Sequence, residues 1–114
     1  MITTYKFGLL SEQLAVLFLR LKAYKILCRR YKHHTGEIDI IAKKKDTLVF
    51  IEVKSRKKID TNYELVSKKQ INRIKRTALL YMASNKRYNS NVDIRFDLII
   101  ISNLIFIDHI KNAW

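Results

Sequence analysis

Residues Thr35–Arg56 read TGEIDIIAKKKDTLVFIEVKSR, two apolar runs on either side of a polar KKKD. EIDIIAK and TLVFIEVKSR are rich in Ile, Val and Phe, and the break between them is charged, so they read as two strands joined by a turn. Side chains alternate along a strand. Phe50, Glu52 and Lys54 therefore share one face and Val49, Ile51 and Val53 the other, while Glu37, Asp39 and Ile41 share a face of the preceding strand. A two-residue turn at Lys45-Asp46 pairs Lys44 with Thr47 and, in the same register, Asp39 with Glu52. Directly opposed residues project from one side with Cβ atoms about 5 Å apart. A turn of odd length would send the two carboxylates to opposite faces.

Two facing carboxylates on a half-buried sheet repel each other and require a cation. Lys54 offers one positive charge and a divalent ion offers two. A hard ion such as Mg²⁺ takes carboxylate oxygens and keeps several waters, one of which a phosphate oxygen can replace.

Upstream, Thr3 or Thr4 caps a first helix running to about Lys22 or Tyr24. YKILCRRYK follows as a strand and HHTG as a turn. Downstream, KKIDTNYELV has no clean period and reads as a loop over 57–66. Ser67 opens a second helix that ends near Asn85, with Gln70 placed for a capping box. Ile71, Ile74, Ala78 and Met82 line one face of it, and Lys68, Lys69, Asn72, Arg73 and Arg76 fall largely on the other. IRFDLIII and LIFIDHI, parted by Ser102-Asn103, are two further strands. The order is α-β-β-β-α-β-β, an α/β fold with helices flanking a mixed sheet, in one domain over residues 1–114.

Hydrophobic residues make up 48% of the 114, enough for a core without staples, and 23 Lys+Arg against 10 Asp+Glu give a formal charge of +13. That balance favours nucleic acid first and an anionic membrane surface second. Absent Pro, scarce Gly and abundant Ile, Lys, Asn and Tyr also reflect A/T-rich codons, so the size of the lysine excess is weak evidence of selection. The apolar run Leu14–Leu19 is too short to span a bilayer and lies between Glu12 and Arg20. No strongly amphipathic basic helix with exposed aromatics is present, which sets the membrane surface aside. Cys28 is the single cysteine, in keeping with a reducing cytoplasm.

Glu12 falls among Gly8, Leu9, Ala15, Val16 and Leu19 on the apolar face of the first helix, where a carboxylate needs a partner: a metal, Lys54 or another basic side chain. Taken singly, E-x-K is also an ordinary strand ion pair and Glu37 beside Gly36 an ordinary turn residue. Taken together, the acids and the lysine on one face resemble a known pattern. TGEIDIIAKKKDTLVFIEVKSR looks like the D-(x)n-E-x-K core of the restriction-endonuclease-like nucleases. With SEQLA, the basic helix, RFDLIII and the terminal IKNAW, the chain more closely resembles the YraN family of small bacterial proteins, which are similar to archaeal Holliday-junction resolvases.

That resemblance implies Asp39 and Glu52 as metal ligands, the Val53 carbonyl as a further ligand, Lys54 as the catalytic lysine and Glu12 as the outlying acid. The implied cofactor is Mg²⁺, or Mn²⁺ in its place. The implied activity is phosphodiester hydrolysis in branched or structured DNA, with RNA as another substrate class and a symmetric dimer as the expected assembly. Lys68, Lys69, Arg73, Arg76 and Arg56 are the expected nucleic-acid contacts, giving affinity rather than sequence reading. The competing reading is a non-catalytic DNA- or RNA-binding module on the same fold, which has no use for clustered carboxylates. The chain departs from the family at Lys45, where a Gly is expected, and in the 57–66 loop, which lacks the Gly/Pro pattern.

The other polar residues are weaker candidates. Gln70 has two readings, a cap or a reach into the site. His33-His34 lack a cysteine partner for zinc and read as a solvated turn. Cys28 reads as packing, Tyr81, Tyr88 and Trp114 as packing or base stacking, and Asp97 as a partner of Arg95 or a support of the sheet end.

Overall fold

The computed structural model describes residues 3–56, 66–85 and 92–114. Its elements are α1 (Thr4–Leu21), β1 (Lys25–His33), β2 (Gly36–Lys44), β3 (Thr47–Arg56), α2 (Lys68–Ser84), β4 (Asp93–Ser102) and β5 (Phe106–Ile110). The five strands form one sheet in the order β1-β2-β3-β4-β5. All neighbours are antiparallel except β3 and β4, which run parallel. A parallel step needs a crossover, and α2 supplies it. The result is the expected α-β-β-β-α-β-β order around a mixed sheet, a restriction-endonuclease-like α/β fold.

The alternation of β3 sorts the core into two layers. Val49, Ile51 and Val53 pack with Ile40, Ala42, Ile99 and Ile101 against Ala15, Val16 and Leu19 of α1. Leu48 and Phe50 pack with Ile41 and Phe96 against Ile74, Ala78 and Tyr81 of α2. Thr3 caps α1 by accepting the Lys6 N–H, and Ser67 caps α2 by accepting the Gln70 N–H. Among the described residues no helix is long and apolar enough to cross a membrane.

Several boundaries shift. α1 stops at Leu21 with Lys22 as its C-cap, and the β1–β2 turn shrinks to two residues because His33 pairs with Gly36. β5 starts at Phe106, since Asn103 and Leu104 take positive φ and turn the chain before Ile105. On α2, Thr77 and Tyr81 join the buried face, while Ile71 and Met82 are partly buried beside it. Tyr81 is thereby a core residue, edge-on to Phe50 and Tyr31. Trp114 packs against the same layer. Tyr88 and positions 57–65 of the expected loop lie outside the described residues, and Val66 is buried.

The β2–β3 hairpin keeps the expected register from Lys44↔Thr47 to Ile40↔Ile51, the last pair of the ladder. Lys45 makes the turn at φ 54°. Beyond Ile40 the strict alternation expected of β2 fails. Ile40 packs on the α1 side, yet Ile38 packs on the α2 side together with Ile41. β1 breaks at the facing position, where Arg30 sits at φ 53° and the Arg30–Asp39 pair is missing between Arg29↔Ile40 and Tyr31↔Ile38. The far end of the β1–β2 hairpin thus rolls towards α2. There Thr35 and Thr77 share a hydrogen bond of 2.7 Å. β2 therefore leaves β3 at Asp39, and the end of β3 from Glu52 onward is open on that side.

Candidate metal-dependent active site

The fork between β2 and β3 frees one main-chain donor, the N–H of Val53. Asp39 Oδ2 accepts it at 2.8 Å, so a carboxylate replaces the missing ladder acceptor. Asp39 and Glu52 also share a hydrogen bond, so one of the two carries the proton. The expected closeness of the two acids holds, through a splayed fork rather than a continued ladder.

Burial pushes the Glu52 carboxyl up to about 8, with the Asp39 charge and hydrogen bond adding to it and Lys54 opposing. Burial also raises Asp39, against the Val53 N–H and the Glu52 hydrogen bond, and the charges of Glu12 and Glu37 raise it further. Two acids raised by burial and by each other, beside a lysine in a cleft, mark a candidate functional site. Lys54 Nζ lies 4.0 Å from Glu52 Oε1, and Gln70 Nε2 donates to that same oxygen at 3.3 Å. Of the two readings of Gln70, its side chain takes the site while its main-chain N–H serves the cap.

Two cavities meet at these acids. The larger, about 430 Å³, lies under α1 and includes Glu12, Arg30, Glu37, Asp39, Glu52 and Val53 in its lining. The smaller, about 340 Å³, lies under α2 and is lined by Glu37, Asp39 and Glu52 together with Ser67, Lys69, Gln70 and Arg73. Glu37, exposed at the rim, belongs to both. Lys69 and Arg73 bring positive charge to the cavity wall. Lys68 and Arg76 are exposed on α2 but do not line either cavity, and Arg56 is half-buried at the end of β3.

Glu12 is buried, as its apolar helix face requires, and its partners are two arginines. Arg29 Nη2 lies 3.4 Å from Oε1 and Arg30 Nε 3.2 Å from Oε2. Ser11 beside it donates to Ser55 Oγ at 2.9 Å and ties α1 to the end of β3. That Glu12 needs a partner is legible in sequence, which leaves a metal, Lys54 or another basic side chain open; the choice of Arg29 and Arg30 depends on the roll at Arg30. Periodicity places Glu37 on the Asp39 face but gives no sign of Arg30 and Lys32 in the cavity lining, because the break in alternation leaves no mark in the apolar pattern.

The donor set is all oxygen: two carboxylates and, next to them, the main chain of Val53. Among the described residues no three His, Cys, Asp or Glu side chains converge as a cage. A site with two carboxylates and room for water fits a hard ion of the Mg²⁺ kind and not a tetrahedral zinc site.

The remaining candidates resolve as packing. Asp97 is fully buried, gripped by Arg95 through both oxygens at 2.8 and 2.7 Å, with His109 Nε2 at 2.8 Å and the Asn112 N–H at 3.0 Å. Burial pushes the Cys28 thiol up, and its side chain packs beside the α2-side core. His33 and His34 are exposed with their rings 4.3 Å apart.

Comparison with known proteins gives one consistent match. The profile of the Uncharacterised protein family UPF0102 matches residues 11–101. A UPF0102 protein of Alkaliphilus oremlandii is 40% identical over 96% of this chain and 97% of its own length. One from Ehrlichia ruminantium is 43% identical over 94% and 82%. One from Parvibaculum lavamentivorans is 34% identical over 99% and 84%.

Proposed function

We propose that this chain, which belongs to the UPF0102 family, is a divalent-metal-dependent endonuclease acting on branched or structured DNA. One observation carries the reading: the half-buried Asp39 and the buried Glu52 lie side by side and hydrogen-bonded at a strand fork, with Lys54 Nζ 4.0 Å from Glu52. A fold gains nothing in stability from two such acids side by side. A divalent ion that displaces the shared proton makes the pair favourable.

Asp39, Glu52 and the carbonyl of Val53 hold the ion, with Glu12 as the outlying acid. Bound there, Mg²⁺ or Mn²⁺ supplies Lewis acidity to the scissile phosphate. Lys54 orients the attacking water and neutralises charge that develops on the phosphoryl oxygens. Gln70 fixes the Glu52 carboxylate, so its oxygens are placed before substrate arrives. Lys69 and Arg73 in the cavity wall, with Lys68, Arg76 and Arg56 further out, bind the phosphates of the strand. The +13 net charge draws the polyanion in.

The test is a panel of four-way junction, flap, nicked and linear DNA, and structured RNA, incubated with Mg²⁺ or Mn²⁺. Cleavage by the wild type that disappears in Glu52→Gln and Lys54→Ala, with DNA binding kept, supports the assignment. Binding without cleavage in every arm favours the non-catalytic module. Equal cleavage by wild type and variants rejects the site.

A further inference from the structure

A separate concavity lies away from the acids, between the end of α1, the β2–β3 turn and β5. It measures about 230 Å³ and is lined by Phe18, Lys22, Tyr24, Lys44, His109 and Lys111. Lys44 lies five residues along β2 from Asp39, on the order of 17 Å at the rise of a strand. Among the described residues none of its lining residues is acidic. The carboxylate that His109 contacts, Asp97, is already saturated by Arg95, His109 and Asn112.

The cations are held in place by the walls. The Lys22 ammonium lies 5.7 Å from the centre of the Phe18 ring and the Lys44 ammonium 5.1 Å from that of Tyr24. One donor of Lys44 goes to the Lys22 carbonyl. The Tyr24 hydroxyl accepts from Arg95 at 2.6 Å, which fixes the ring beneath Lys44. His109 is edge-on to Phe18 and spends Nε2 on Asp97, leaving Nδ1 as its remaining polar atom. Three ammonium groups in one hollow repel each other without a counter-anion.

We propose that this hollow is a binding site for a phosphate monoester. Three lysines suit a monoester, which carries about two negative charges at neutral pH, better than the singly charged diester of a continuous strand. The hollow is walled by Phe18 of α1 and His109 of β5, and at about 230 Å³ it is sized for a single phosphate-bearing group rather than a length of strand. Lysines already cover the faces of Phe18 and Tyr24, so recognition is of the phosphate and not of a stacked base. The source is a free nucleotide or the phosphorylated end of a nucleic-acid strand.

The test is calorimetric titration of the full chain without divalent ions. The titrants are deoxyadenosine 5′-monophosphate and a matched pair of oligothymidylates, one 5′-phosphorylated and one 5′-hydroxyl. Wild type and Glu52→Gln alike are expected to bind the phosphorylated strand at least about fivefold more tightly than its hydroxyl twin. The preference is expected to vanish in Lys44→Gln/Lys111→Gln. Competition by the mononucleotide identifies free nucleotides as ligands as well, and its failure to compete identifies the strand end. A parallel titration of the wild type followed by the His109 imidazole resonances locates the bound phosphate without any substitution. Equal affinity for the two strands, a preference that survives in the folded double variant, or unmoved His109 resonances each overturn the proposal. None of these outcomes depends on cleavage, so a failure of the nuclease reading leaves the inference separately decided.

Discussion

Asp39 Oδ2 accepts the main-chain N–H of Val53 at 2.8 Å, one residue beyond the last paired step of β2 and β3. A single side chain thereby ends the ladder, satisfies the donor that the fork exposes and places a carboxylate beside Glu52. Structure and chemistry meet in that contact. Without the roll at Arg30–Asp39 the two strands would stay paired, and no cavity would open at the acids.

The first prediction concerns pH and metal. The Glu52 carboxyl is raised in the fold from 4.5 to about 8, so the folded protein favours its protonated form. Its contribution to stability is complete below the unfolded value and is lost as pH rises through about 8. Metal-free protein should melt progressively lower between about pH 5 and about pH 8. Glu52→Gln should flatten that slope and melt higher than wild type at the alkaline end. Mg²⁺ displaces the proton, so it should raise the melting temperature most at alkaline pH and have no such effect in Glu52→Gln. Melting curves over pH, with and without Mg²⁺, check all three; a wild type that is flat over this range contradicts the raised Glu52 carboxyl.

The second concerns Asp97. Burial pushes its carboxyl up, but His109, Arg95 and the Asn112 N–H together outweigh burial and hold it below its ordinary value. It therefore stabilises the fold above its unfolded value, and that stability is lost as pH falls through the lower folded one. Asp97→Ala removes the carboxylate that Arg95 and His109 share and should cost about 3–5 kcal/mol in denaturant unfolding. If instead the variant is as stable as wild type, the network is not structural.

The third tests what holds the rolled hairpin. Gly36 has φ 155°, and a Cβ there would meet Thr77 Oγ1 at 3.3 Å and Arg73 Cβ at 3.4 Å. Gly36→Ala combines backbone strain with crowding against α2 and should cost about 1–3 kcal/mol. It also pushes the hairpin away from the helix that carries Gln70 and Arg73. Divalent-ion affinity should drop together with stability, whereas a loss of stability alone would separate the hairpin from the site.

The element order, both helix caps and the β2–β3 register were legible because each rests on local chemistry: period-two apolar runs, Thr3 and Ser67 before helices, and a two-residue polar break. Register arithmetic also pointed Asp39 towards Glu52, but the ladder ends one step earlier at Ile40–Ile51, and it is the fork that brings the two acids together. The roll at Arg30 was not legible. Arginine carries no preference for positive φ, and the tertiary pull of α2 on Thr35 and Gly36 is invisible in a strand's own pattern. The Asp97 network was half legible. RFD placed Arg95 near it, but His109 and Asn112 arrive from β5 and the residues after it, through pairing that no short stretch encodes.

Lys45 supplies the last prediction. It is exposed and takes φ 54° in the turn that fixes the hairpin register. The left-handed region costs an L-residue with a Cβ roughly 1–2 kcal/mol, while Gly enters it freely but loses more chain entropy on folding. The steric term is the larger, because Gly removes the Cβ clash at this φ altogether, while its extra unfolded-chain entropy costs about 0.5–1 kcal/mol. Lys45→Gly should therefore stabilise the fold by about 1 kcal/mol, a rise of a few degrees in melting temperature. The register also bears on the site, because slipping it by one residue would turn Glu52 away from Asp39. A firmer turn should leave Mg²⁺ affinity unchanged or slightly improved in calorimetry. A destabilised Lys45→Gly would show that the lysine side chain, not the backbone, sets the turn.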